Sequence, residues 1–193
     1  MRKLIAGMKV SVDGKIEGPE ATADWIEAWG DDYGLTPQID ACLLGGGMYP
    51  GYEEYWTSIK NGPDQPVMGS DRLPTPGQIE WANFAAETPH YVLSNKLTSA
   101  VWPKTRFVRG FDEIAALKKQ DGKDIYLIGG ALTTASLIDA GLVDELRLIV
   151  YPLVLGGGKG LFATSEKRRG LELRKVQQHQ DGRLSMTYEI SKA

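Results

Sequence analysis

Residues 124–162 read DIYLIGGALTTASLIDAGLVDELRLIVYPLVLGGGKGLF, and this stretch decides the fold class. An apolar run from Ile125 to Ile128 meets Gly129-Gly130. The next segment carries Leu132, Leu137, Ile138 and Leu142 in a helical pattern. A second apolar run, Leu146 to Leu155, closes on Gly156-Gly157-Gly158. In this order of strand, Gly-Gly turn, helix and strand, an α/β protein offers backbone N–H groups to a phosphate. Glycines let the ligand approach the main chain, and the helix N-terminus favours negative charge. A nucleotide is therefore the expected ligand, and the Gly-Gly turn its expected seat.

Working outward, Leu4 to Val12 reads as a first strand ending at the Asp13-Gly14 turn. Pro19-Glu20 opens a segment with Trp25, Ile26 and Trp29 at helical spacing. Ile39 to Leu44 reads as a buried strand running into Gly45-Gly46-Gly47, and Tyr49 to Ile59 as a short helix. The proline-rich segment 61–76 is a loop. Thr75 and Pro76 look like the N-cap and first residue of a helix reaching Glu87. Tyr91 to Leu93 and Arg106 to Val108 are short strands, and Asp112 to Lys119 is a helix. Leu171 to Gln177 and Leu184 to Ile190 alternate around an Asp181-Gly182 turn, the signature of an antiparallel hairpin. The expected architecture is a single α/β domain over 1–193. Its central sheet is mostly parallel, with helices on both faces and an antiparallel C-terminal edge.

Composition narrows the function. A chain of 193 residues that is 42% hydrophobic, 24% charged and of net charge −3 has the balance of a soluble globular domain without a basic nucleic-acid footprint. Cys42, the single cysteine, lies in an apolar run and reads as core. Two distant histidines and one cysteine leave no zinc site of the usual kind. No apolar run approaches the length of a membrane span, no signal peptide is evident, and a cytoplasmic setting is expected. Three loops follow strands and are candidates for ligand contact: Gly45 to Tyr49, Ser94 to Lys96, and Gly129 to Thr133.

Four blocks together carry a resemblance: SVDGKIEGP (Ser11 to Pro19), DACLLGGGMY (Asp40 to Tyr49), YVLSNKL (Tyr91 to Leu97) and the stretch from Ile125 to Phe162. In order and spacing they resemble the dihydrofolate reductase superfamily. Within it, they look most like the reductase domain of the bifunctional riboflavin-biosynthesis deaminase–reductase and its stand-alone relatives. The resemblance implies a dihydrofolate reductase-like three-layer fold with an eight-stranded sheet binding NADPH, NADH being possible. By the same resemblance, Ala6, Gly7 and Ile16 lie against the nicotinamide. Gly45, Gly46, Gly47, Met48 and Tyr49 meet the phosphates and adenosine half. Ser94, Asn95 and Lys96 sit near the 2′-phosphate. Gly129, Gly130, Ala131, Leu132 and Thr133 hold the pyrophosphate, and in relatives the Gly-Gly bond can be cis. Asp24 is the implied proton source, placed on a helix beside Trp25 where burial would raise its pKa. Trp25, Trp29, Tyr49, Tyr52 and Tyr55 are candidates either for a flat-ring pocket or for core and interface packing, and Trp25, Tyr52 and Tyr151 are the expected substrate contacts. A homodimer is implied too.

The chain also departs from its relatives. The first glycine turn lacks the arginine that many of them carry there. Gly7 stands where the riboflavin-pathway reductases tend to have a lysine, and Ile128 where they often have a glutamate. The expected activity is a stand-alone NAD(P)H-dependent reduction of a pteridine-like or aminopyrimidine substrate, of the 5-amino-6-(5-phosphoribosylamino)uracil reductase type. A broad-range dihydrofolate reductase-like enzyme, a flavin or deazaflavin reductase, and a non-catalytic nucleotide-binding protein are the alternatives.

Overall fold

The computed structural model describes residues 1–26 and 29–191. Its elements run β1 (Leu4–Ser11), β2 (Lys15–Glu17), β3 (Ile39–Gly45), α1 (Tyr49–Asn61), α2 (Pro76–Glu87), β4 (His90–Leu93) and β5 (Thr105–Val108). They continue with α3 (Phe111–Lys119), β6 (Asp124–Gly129), α4 (Ala131–Asp139), β7 (Glu145–Tyr151), β8 (Lys159–Gly160), β9 (Leu171–Gln178) and β10 (Leu184–Ile190). The boundaries follow local chemistry. Thr75 caps α2 by accepting from the Gln78 N–H at 3.2 Å, and the Gln78 side chain accepts the Thr75 N–H at 2.9 Å. Pro152 stops β7 four residues short of the apolar run's end at Leu155, because it has no N–H to give the ladder.

Eight strands form one sheet in the order β5-β4-β3-β6-β1-β7-β10-β9. The first six are parallel, and β10 and β9 are antiparallel. β1 is buried along its whole length because it lies between β6 and β7. Successive side chains of a strand point to opposite faces, and the two faces bury different partners. Ile5, Cys42 and Leu44 pack with Tyr52, Trp56 and Trp81 under α1 and α2. Leu4, Ala6 and Leu43 pack with Ile114 and Leu137 under α3 and α4. Cys42 is core, and burial pushes its thiol pKa well up.

The segment around Trp25 is a correction. Its described residues form turns, not a helix. Gly18 N–H donates to the Thr22 carbonyl, Ala21 N–H donates to Gly18, and Ala21 adopts φ 57°. The chain loops back on itself before a helical ladder can start. Glu27 and Ala28, also read as helical, lie outside the described residues.

Two further features position the site. Asp13 accepts from Ser11 Oγ at 2.6 Å and from the N–H groups of Leu155 and Gly156 at 3.1 and 2.9 Å. It thereby ties the first turn to the glycine loop after β7. These bonds hold its carboxyl at about 2, below the ordinary range. β2 and β8 pair as a short strap beside that tie. At the far edge β9 is exposed throughout. A register shift at Thr187/Tyr188 sets Leu171, Leu173 and Val176 opposite Ile190, Tyr188 and Met186, so the apolar side chains of both strands share one face.

His90, at the start of β4, is fully buried. Its Nδ1 donates to the Thr88 carbonyl at 2.8 Å in the neutral form, and its ring lies 4.9 Å from that of Trp102 and 5.6 Å from that of Tyr52. Nε2 has no hydrogen-bond partner. Burial lowers its pKa to about 4.

Candidate active site

A cavity of about 1010 Å³ opens at the C-terminal ends of β1, β3 and β6, where open α/β sheets bind ligands. One end is mostly backbone. Gly45, Gly46, Gly47 and Met48 form the turn from β3 into α1, and Gly130 to Thr133 form the turn from β6 into α4. The two turns touch: a Cβ on Gly45 would lie 2.2 Å from Thr133 Oγ1, so only glycine allows this approach. Gly130 is different. It has φ −79°, and a Cβ there would meet no atom within 4 Å. The peptide bond between Gly129 and Gly130 is cis. Two helix N-termini and bare backbone suit an anionic phosphate bridge. Replacing Gly130 with Val is expected to preserve the fold, because the side chain projects into open space. It should weaken nucleotide binding by roughly 10-fold or more by filling that space. Thermal melting and cofactor titration of the same sample check the two parts separately.

The other end is aromatic, lined by Trp29, Tyr33, Tyr52, Tyr55, Trp81 and Tyr126. Burial raises the phenol pKa of Tyr33, Tyr52 and Tyr126 well above the ordinary value, so all three stay neutral. Within this end lies a buried ion pair. Lys9 Nζ is 2.8 Å from Asp32 Oδ2 and 4.5 Å from the centre of the Trp29 ring, and its side chain is 1% exposed. Burial lowers the ammonium pKa, and the Asp32 carboxylate opposes that shift.

Gly7 and Lys9 share one face of β1 by the two-residue period of a strand. A Cβ at Gly7 would fall 2.9 Å from the rings of Tyr33 and Tyr126. Those rings occupy the space a lysine at position 7 would need, and the cation stands two residues later.

The expected site residues fall into two groups. Gly7, Ile16, Gly45 to Met48, Tyr52 and Gly130 to Thr133 line the cavity. The others do not. Ala6 points to the opposite face, into the α3/α4 core. Tyr49 is buried, with its hydroxyl donating to Glu53 at 2.7 Å and 2.6 Å from Thr105 Oγ1. Gly129 is buried against Met8. Trp25 and Tyr151 pack edge to face on each other, 4.9 Å apart, outside the lining. Asp24 stands exposed on a turn, so the partly buried helical carboxyl expected there is not present.

Ser94, Asn95 and Lys96 sit next to a second, smaller concavity that includes Asn95 and Arg109 and shares Leu93 and Phe111 with the main cavity. Arg109, one residue past β5, donates to the Ser94 carbonyl and, at 2.9 Å, to that of Leu97. A guanidinium thus stands beside the serine loop. Neither Arg109 nor the Lys9–Asp32 pair was singled out from sequence. The available signal for Lys9 was a charged residue inside a strand otherwise free of charge.

Fold and cavity together define a protein of dihydrofolate reductase-like fold with one large cleft at its strand ends. More narrowly, the chain belongs to the RibD C-terminal domain family, whose model matches residues 2–184. It is 31% identical over 192 residues to the uncharacterized protein YyaP of Bacillus subtilis (strain 168), covering 97% of this chain and 94% of that one. Among solved structures it resembles a putative riboflavin biosynthesis protein from Shewanella sp. PV-4, with TM-score 0.71, 21% identity and coverage of 98% and 99%. It also resembles dihydrofolate reductase from Enterococcus faecalis complexed with NADP(H), with TM-score 0.54, 16% identity and coverage of 98% and 97%. No helix among the described residues is long and apolar enough to cross a membrane, and no group of metal-ligating side chains is found among them.

Proposed function

We propose that the protein is an NAD(P)H-dependent reductase of the riboflavin-reductase type that transfers hydride to a flat heteroaromatic substrate. One observation carries the reading: a single cavity joins a glycine-lined end to an aromatic end holding a buried Lys9–Asp32 pair. The bound cofactor supplies the hydride. The backbone at Gly45 to Met48 and Gly130 to Thr133 holds its phosphates, and Tyr33 and Tyr126 wall the ring space beside Gly7. Lys9 donates the proton that completes reduction at a ring nitrogen. Asp32 keeps the ammonium protonated against its burial and orients it. This role replaces the one expected of Asp24.

Lys96 and Arg109 favour the 2′-phosphate, so NADPH is the expected cofactor. Titration with NADPH and with NADH, read by quenching of tryptophan fluorescence and by calorimetry, tests this. Micromolar NADPH binding is the expected result, and binding of neither nucleotide would sink the reading. Arg109→Gln should cut the NADPH-over-NADH preference by roughly 10-fold, the worth of one charge-assisted bond. An unchanged ratio removes Arg109 from the cofactor site. The apolar face of β9 and β10 supports a homodimer, which light scattering checks.

A further inference from the structure

We infer that the aromatic end takes a flat ring without an anionic tail, so that phosphorylated and carboxylated versions of the substrate are refused. The inference rests on the cleft assignment above and concerns its other half. Among the described residues the cavity is lined by two cations, Lys9 and Lys159, and two carboxylates, Asp32 and Glu17. Each cation already faces a carboxylate: Lys9 with Asp32 at 2.8 Å, and Lys159 with Glu17 at 3.8 Å. A phosphate brought to either lysine meets a carboxylate within a few ångströms of the same nitrogen. Drawing Lys9 away from Asp32 would also break a buried ion pair.

The remaining surface of this end is ring. Trp29, Tyr33, Tyr55, Trp81 and Tyr126 offer faces, edges and neutral hydroxyls, which suit an uncharged heteroaromatic system. The helix starts of α1 and α4, whose backbone donors line the cavity, are at the glycine end, and the start of α2, which lies against Gly30, has its Gln78 N–H taken by Thr75 Oγ1. The provision for anionic groups is thus on the cofactor's side of the cleft only. A phosphoribosyl-bearing pyrimidine needs two such sites, one for itself and one for the cofactor.

The test uses the whole protein with NADP⁺ at saturation, so that the glycine end is filled. Two pairs of ring compounds, riboflavin with FMN and uridine with UMP, are titrated at pH 7 by fluorescence and calorimetry. In at least one pair the unphosphorylated member should bind roughly 10-fold tighter or more. Asp32→Asn removes the carboxylate that a phosphate at Lys9 would meet, and that preference should shrink or reverse. This gain cannot come from misfolding. Equal or tighter binding of the phosphorylated member in both pairs overturns the inference, as does failure to bind any of the four. NADP⁺ binding is measured separately, so its absence would count against the cofactor assignment and leave the paired comparison to judge the substrate end.

Discussion

Lys9→Met is expected to lower turnover at least about 100-fold, the lower range for loss of a positioned general acid, while NADPH affinity stays within about twofold. The separation follows from geometry. Lys9 belongs to the aromatic end and makes no part of the glycine turns. Stability should hold or rise, since an apolar side chain of similar length in place of a buried ammonium relieves a desolvation cost. Asp32, whose side chain is 24% exposed, keeps access to water when its partner is gone. The pH profile supplies a sharper readout. Lys9 acts as an acid only while protonated, so the rate falls as pH rises through the ammonium pKa. Asp32→Asn removes the group that holds this pKa up, and the alkaline limb should therefore move to lower pH. A Lys9→Met enzyme retaining more than about a tenth of wild-type turnover would falsify the assignment.

The second large effect concerns folding. Between pH 6.5 and about 4 the protein should lose about 3 kcal/mol of stability through His90 alone. The sign is fixed by which state takes the proton. Below the ordinary histidine pKa the unfolded chain binds a proton at position 90, and the folded chain does not until about pH 4. The contribution is complete above 6.5 and drains away as pH falls. Other groups titrate in this window, so the measurement is a difference: urea unfolding of wild type and of His90→Phe across the range. The gap between the two should change with pH in the wild type's disfavour on acidification. A gap constant to within about 0.5 kcal/mol means that His90 contributes nothing to the pH dependence.

What was legible in the sequence was backbone. Gly45-Gly46-Gly47 and Gly129-Gly130 mark places where side chains cannot be, and the alternation of apolar runs with helical spacing gave the parallel sheet and its closing hairpin. The Trp25 segment failed for a definite reason. Ile26 is buried and Trp25 packs on Tyr151, a contact distant in the chain, while the backbone between them turns; their spacing only imitates a helical face. Lys9 and Asp32 were hidden because a pair formed between a strand and a loop 23 positions away leaves no periodic trace. Arg109 was hidden likewise, since its relation to Ser94 and Leu97 exists only once β4 and β5 lie side by side.

The place of β1 in the sheet has a consequence for synthesis. This strand is made before the other strands of its sheet, yet its ladders are with β6 and β7, whose residues begin at 124 and 145. At roughly 5–20 residues per second, it waits several seconds or more for a partner, with an apolar segment exposed. A nascent chain halted before β6 has β3, β4 and β5 to assemble but no place for β1. Completion of the domain is therefore a late insertion event, and chaperone dependence should be concentrated in that interval.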